Sequence, residues 1–288
     1  MKFFVLFVFL VQGLLALEYD VADVSVANGK TTVITFAKEK GVSYDKVTHG
    51  EGSYKIFEHP LDKTKMYALL PMSYYQTPSN EKLQIHYKQN GMNETQEITL
   101  KVKDGNYAKE QIQVSNEKVN PTSKAVKDRI SKEYNAAMKV YGTVHNESYI
   151  SSAFIAPLES KITSDFGKAR VYNDSLKGYH SGTDYRADVG TPIIASNDGV
   201  VALVEKRFYS GGTVLVDHGQ GIYTCYFHMS KFNVKKGQKV KKAQLLGLSG
   251  ASGRVTGPHL HFAVRINKVQ VDPLQFIELM NNNLLKEI

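Results

Sequence analysis

The sequence predicts a mostly β protein. It has an antiparallel, sandwich-like β domain over residues 19–115, a linker helix over 121–142, and a glycine-rich β-sheet domain over 154–276. Three observations predict it. Apolar and polar residues alternate with period two in segments between Tyr19 and Val114. A stretch with apolar residues three and four apart follows. Beyond it, short β-rich segments are punctuated by more than half of the chain's 22 glycines, between Gly167 and Gly257. A chain of 288 residues, 42% hydrophobic and 22% charged, is no disordered tail, collagen-like repeat or disulfide-stapled miniature, and it suits two ordinary domains. Its one cysteine, Cys225, cannot close an internal disulfide, so packed cores must supply the stability.

Met1-Lys2, the apolar run Phe3 to Val11 and the small Ala16 before Glu18-Tyr19-Asp20 read as a secretory signal peptide over residues 1–16. The run is shorter than the about 20 residues of a membrane span, so contact with a membrane is expected only transiently, through this signal. No cysteine follows it to carry a lipid anchor. With 36 Lys and Arg against 28 Asp and Glu, the chain is basic at +8. An exported basic protein points away from nucleic acid and toward an anionic polymer of the cell envelope.

In the first domain, Leu83, Ile85 and Tyr87 alternate up to Asn90-Gly91, and Ile98, Leu100 and Val102 alternate after it, which is a hairpin pattern. Val24 and Val26, Asn28-Gly29, and Val33 to Phe36 suggest an earlier hairpin, while Tyr54 to Phe57 and Met66 to Leu70 add strands. His49, His59 and His86 lack metal-like spacing and read as surface or turn residues. The linker helix has Val126, Ile130, Tyr134, Ala137 and Tyr141 on one face, Thr122 or Ser123 as its cap and Gly142 as its stop, and it is long enough to be a strut between domains.

Five of the nine histidines lie between His180 and His261. His180 and Asp184 stand four apart across Gly182, a short arc that can turn both side chains to one point. His259-Leu260-His261 opens an apolar strand in which the two histidines share a face. Two imidazoles and a carboxylate are a common set for catalytic zinc, with a position left for water. His180, Asp184 and one member of the His259/His261 pair meet that count, and the other member is left for proton transfer. Strand phase places His228 on one side with Ile222, Thr224 and Tyr226. The same phase puts Cys225 on the opposite face as a buried residue. His218, in Asp217-His218-Gly219, reads as structural, and the lysines from Lys235 to Lys242 as a solvated hairpin.

Phe166-Gly167, His180 to Asp184, Gly190-Thr191-Pro192, Asp198-Gly199-Val200-Val201, Asp217-His218-Gly219, Tyr226-Phe227-His228 and Gly257 to Phe262, closed by Asp272-Pro273, resemble the lysostaphin-type, or LytM-domain, zinc peptidases. The resemblance covers about Phe154 to Phe276 and implies hydrolysis of peptide bonds in bacterial peptidoglycan. It implies one Zn2+ held by His180, Asp184 and His261, with His228 and His259 as catalytic residues. The resemblance departs at Gly211-Gly212, where many relatives carry asparagine, so a polar contact in the groove wall is missing. The layout upstream is similar to that of Gram-negative envelope peptidases. It implies a periplasmic enzyme that cuts D-alanyl-diaminopimelate crosslinks, with carboxypeptidase activity as a second activity and cell shape as its process. The alternatives within the family are a non-catalytic activator of a cell-wall amidase and a glycine-bridge endopeptidase. The N-terminal half is expected to restrict access to the groove or to position the enzyme on the wall or on an envelope protein partner.

Overall fold

The structure, a computed structural model, describes residues 17–112, 116–172 and 175–286; the expected signal peptide over 1–16 lies outside the described residues. Period-two patterning yields β1 (Tyr19–Val21), β2 (Ser25–Ala27), β3 (Thr31–Ala37), β4 (Val42–His49), β5 (Gly52–Lys55), β6 (Phe57–Glu58), β7 (Lys65–Pro71), β8 (Ser79–Gln89) and β9 (Met92–Lys103). They form two sheets, ordered β1-β3-β7-β6 and β2-β9-β8-β4-β5. β8 and β9 are the hairpin expected at Asn90-Gly91. Gln89 pairs with Met92, and the two turn residues have φ of 51° and 86°, which suits the strand twist. Leu83, Ile85, Ile98 and Leu100 meet Ile34, Phe36, Ala68 and Leu70 in the core between the sheets.

The hairpin expected across Asn28-Gly29 does not form. β2 pairs in parallel with β9, whereas β3 pairs with β1 and β7 in the other sheet. The turn is a corner between layers: Asn28 Nδ2 donates to the Tyr74 carbonyl and Oδ1 accepts from Gly105 N, each at 2.8 Å. His49 and His59 are buried rather than at the surface. His59 does serve a turn, its Nδ1 accepting from Leu61 N and Asp62 N.

β3 and β7 are covered on both faces. Ile34, Phe36, Ala68 and Leu70 enter the sandwich core, and the alternate residues Val33, Tyr67 and Leu69 enter the core of the C-terminal domain. The domains therefore share an apolar interface instead of being held apart by a strut. Polar contacts fix its register. The Gln275 side chain donates to the Thr31 carbonyl at 2.8 Å and accepts from Thr31 N at 3.0 Å, and Tyr67 donates to Gln220 Oε1 at 2.6 Å.

Between the domains run β10 (Lys109–Ile112), α1 (Asn116–Val119) and α2 (Lys124–Tyr141). α2 is the expected helix, with Ser123 at its N-cap position and no side-chain cap bond. Its 18 residues extend about 27 Å at about 1.5 Å each. It does not bridge open space. Ala137 and Tyr141 pack on Leu203, Leu215, Tyr223, Cys225 and Ala263, which lays the helix along the C-terminal sheet.

The C-terminal strands are β11 (Ile162–Ser164), β12 (Ala169–Tyr172), β13 (Ser175–Tyr179), β14 (Thr183–Arg186), β15 (Pro192–Ile194), β16 (Gly199–Arg207), β17 (Gly211–Asp217), β18 (Ile222–Met229), β19 (Lys231–Phe232), β20 (Lys239–Val240), β21 (Leu245–Leu248), β22 (His259–Ile266) and β23 (Val269–Val271). The main sheet runs β11-β14-β22-β18-β17-β16-β20, with β23 beside β22. β10, β12 and β13 form a separate small sheet, in which β10 joins β12 in parallel. Helix α3 (Pro273–Asn283) closes the chain, with the Asp272 carboxylate accepting from Leu274 N and Gln275 N and Pro273 in the first turn.

Candidate active site

Antiparallel pairing of β14 with β22 sets Asp184 opposite His261, on one face of the sheet. His180 reaches the same point from the residues just before β14. Its Nε2 lies 2.9 Å from Asp184 Oδ1 and 3.0 Å from His261 Nδ1, and that Nδ1 lies 2.8 Å from the same Oδ1. Among the described residues this is the one cluster of three His, Cys, Asp or Glu side chains close enough to hold a metal ion. Gly182 makes the approach possible. A Cβ there would lie 2.4 Å from the Phe262 carbonyl oxygen and 2.6 Å from His261 Nε2.

Backbone carbonyls set the imidazole tautomers. A carbonyl only accepts, so the nitrogen facing it carries the proton. His180 Nδ1 donates to the Asp165 carbonyl at 2.8 Å, which leaves the Nε2 lone pair for a ligand. His228 Nδ1 donates to the Ser252 carbonyl at 2.8 Å and His259 Nδ1 to the Gly257 carbonyl at 2.9 Å. Their Nε2 atoms are thereby left as acceptors. The His259 Nε2 stands 3.7 Å from Asp184 Oδ1, and the His228 and His259 rings are 4.8 Å apart.

Electrostatics favour the ligand forms. Burial pushes the Asp184 carboxyl up, but the His180 and His261 imidazoles beside it more than offset this and hold it well below the usual carboxylate range. Burial pushes His261 down to about 4, against the pull of Asp184. Burial, followed by the neighbouring His261 and His259, pushes His228 down to about 3. At neutral pH these two are therefore neutral imidazoles beside a carboxylate. His180, with Nδ1 turned to a carbonyl, and His261 converge with Asp184 as the donor set of a catalytic zinc site. The residues present fit that ion.

His228 arrives by a route that strand phase does not give. Phe227 pairs with His261 and stacks on it at 5.3 Å and 9°, and Cys225 pairs with Ala263, so these residues share the histidine face. Simple alternation would send His228 to the other face with Tyr226. Instead His228 takes φ of +62°, next to a register shift between β17 and β18, and this turns its ring back beside His259. Cys225 is buried as expected, with burial pushing its thiol up to about 11, but it lies on the histidine side of the sheet. His218 is structural: fully buried, its Nδ1 donates to the Asp198 carbonyl at 2.6 Å and its Nε2 accepts from Thr224 Oγ1 at 2.7 Å.

Three neighbours, Arg170, Glu110 and Arg254, carry no signal in the sequence. Arg170 on β12 lies 3.3 Å from Asp184 Oδ2, on the side away from the histidines. Glu110 on β10 lies 3.5 Å from Arg170 Nε and accepts from Ser164 Oγ at 3.0 Å. Arg254 belongs to the loop that leads to His259. A groove of about 420 Å³ joins Glu110, Arg170, Asp184, His228, Arg254 and His259. The wall at Gly211 and Gly212 is backbone only. A Cβ at either would meet the Ser252 or Met229 carbonyl oxygen at 2.3 or 2.2 Å, and Ser252 Oγ accepts from Gly212 N at 2.8 Å. A larger cavity of about 690 Å³ lies under α2, lined by Ile130, Tyr134, Met138 and Phe227, and includes none of His180, Asp184 and His261.

Residues 178–273 match the family model of peptidase family M23. The chain is similar to the peptidoglycan DD-endopeptidase ShyA of Vibrio cholerae, 42% identical over 122 residues, 41% of this chain and 28% of that protein. It is also similar to the DD-carboxypeptidase/endopeptidase Mpg of Neisseria meningitidis, 41% identical over 95 residues, 33% of this chain and 22% of that protein. It thus spans under a third of the length of these relatives. A crystal structure from Pseudomonas aeruginosa assigned to peptidase M23 superposes with a TM-score of 0.67 and 25% identity, over 88% of this chain and 95% of that one. The matched segment contains the whole His180, Asp184, His228, His259 and His261 constellation, and residues 178–273 are a peptidase M23 domain of the LytM type.

Proposed function

We propose that the chain is an exported, zinc-dependent peptidoglycan hydrolase. It cuts the D-alanyl-diaminopimelate crosslink between stem peptides, removes terminal D-alanine as a second activity, and works in the periplasm of a Gram-negative bacterium in the service of cell shape. The observation that carries this reading is the convergence of His180 Nε2, Asp184 Oδ1 and His261 Nδ1 beside two further imidazoles whose Nε2 atoms are left as acceptors. The names of the similar proteins of Vibrio and Neisseria support the substrate class.

His180, Asp184 and His261 would hold a zinc ion, which would supply a Lewis acid for the scissile carbonyl and lower the pKa of water toward about 7. His228 and His259, each oriented by a backbone carbonyl at Nδ1, accept a proton at Nε2 and return it to the departing amine. Once protonated, the same imidazoles donate to the developing oxyanion. All five positions are filled, which favours a hydrolase over an amidase activator.

β10 also bears on access. It lies against β12 with Glu110 and Gln111 lining the groove, so the reading includes a partial restraint that an envelope partner relieves by drawing this strand away. The deciding experiment incubates the zinc-loaded protein with purified crosslinked muropeptides and with pentaglycine, and reads products by mass spectrometry. Cleavage of the crosslinked dimer, lost on chelation and restored by zinc, is expected. Cleavage of pentaglycine alone, or of neither, rejects the reading.

A further inference from the structure

His180, His228 and His259 share one way of being oriented: each turns Nδ1 to a backbone carbonyl, at 2.8, 2.8 and 2.9 Å. His261 cannot be held so. Its Nδ1 is the atom turned to the cluster, 2.8 Å from Asp184 Oδ1 and 3.0 Å from His180 Nε2. The torsion that turns an imidazole about its Cβ–Cγ bond is broad, so another contact must set the plane of this ring.

Phe227 is placed to do it. It is the Cα partner of His261 across β18 and β22, so the two side chains leave the sheet side by side on one face. Their rings lie 5.3 Å apart and within 9° of parallel. His180 and His228 meet the same imidazole at 56° and 77°, so they touch it without lying along its plane. Phe227 is also more than a piece of tight core. It is partly buried, and it lines the cavity under α2 together with Tyr134 and Met138, so it borders open space as well as the histidine.

We propose that Phe227 is a positioning residue for the zinc ligand His261, its flat face holding the imidazole plane in which Nδ1 meets Asp184 Oδ1 and His180 Nε2. This inference rests on the zinc site in the reading above and not on which bond is cut. A parallel aromatic pair is attractive beyond the area it buries, and it limits rotation of either ring. An aliphatic side chain of similar bulk fills the space and imposes no plane. Because strand pairing already fixes both Cα atoms, the stack needs little further ordering.

The test uses the full chain as wild type, Phe227→Leu, Phe227→Met and Phe227→Tyr. The first two variants keep apolar bulk and remove the flat face, and the third keeps the face. Zinc affinity is read by competition with a chelator, ligand geometry by the visible absorption of the Co2+-loaded protein, and fold stability by thermal melting without metal. The leucine and methionine variants are expected to bind zinc about tenfold more weakly with an altered cobalt spectrum, the low end of the effect of removing a ligand's support. On a substrate that the wild type cuts, the loss is expected in kcat rather than KM. Phe227→Tyr is expected to stay within about threefold of wild type in affinity, with the wild-type spectrum. Wild-type affinity and cobalt spectrum in either folded aliphatic variant overturn the inference, whatever the change in melting, and so does a loss of equal size in Phe227→Tyr. A wild-type chain that binds no zinc rejects the zinc site and this inference with it.

Discussion

Gly182→Ala is the sharpest perturbation of the metal site, because it alters no ligand and no charge. The added Cβ would lie 2.4 Å from the Phe262 carbonyl oxygen, 2.6 Å from His261 Nε2 and 2.9 Å from His261 Cε1. Ordinary contact is about 3.5–4.0 Å, so one partner must retreat by about 1 Å. Phe262 is locked by pairing with Thr183 on one side and Tyr226 on the other, so the His261 ring is the part that moves. Ligand distances tolerate about 0.2 Å. A displacement several times larger should weaken zinc binding by about 10- to 100-fold, the scale seen when a support of a ligand is removed. Overpacking adds a stability loss of about 1–3 kcal/mol. Competition with a fluorescent chelator gives the affinity, and thermal melting followed by circular dichroism gives the stability. Wild-type zinc affinity in a folded Gly182→Ala protein would refute the placement of His261 against this glycine.

Three further outcomes follow from the site. His228→Ala and His259→Ala should each retain stoichiometric zinc by metal analysis while turnover falls about 10²- to 10⁴-fold; loss of zinc in His259→Ala would exchange the roles of His259 and His261. Glu110→Ala removes the half-buried contacts of β10 with Arg170 and Ser164, and turnover on soluble muropeptides should rise several-fold. Unchanged turnover at unchanged zinc content rejects the restraint. Burial pushes His218 down from 6.5 to about 4, so the folded state keeps it neutral where the unfolded chain takes up a proton. Its stabilisation is present in full above about pH 6.5 and is lost as pH falls toward 4, at about 1.4 kcal/mol per pH unit. Denaturant titrations of His218→Gln at pH 7 and pH 5 should show a correspondingly smaller loss, and an unchanged loss would assign the acid sensitivity to other groups.

The convergence of His180 and Asp184 with the His259/His261 strand is legible in the sequence because its signals are local. His180 and Asp184 are one short arc, and His259 and His261 are one strand, so spacing alone brings each pair to a common face. The Asn90-Gly91 hairpin was legible for the same reason, since turn chemistry and alternation act within a dozen residues. His228 stands beside the cluster by a geometry that alternation does not give: a single positive φ and a register shift reverse its phase, and alternation cannot foresee a bulge. The Asn28-Gly29 turn failed likewise, because whether a turn folds back or crosses between layers depends on partners some 70 residues away on β9. What only the tertiary structure decided were the contacts between distant segments. Both faces of β3 and β7 are used by two cores, α2 lies along the C-terminal sheet, Glu110 reaches Arg170 from the segment between the domains, and Arg254 sits on Tyr209. Such contacts leave no periodic mark, since each residue meets its partner once and from a different element.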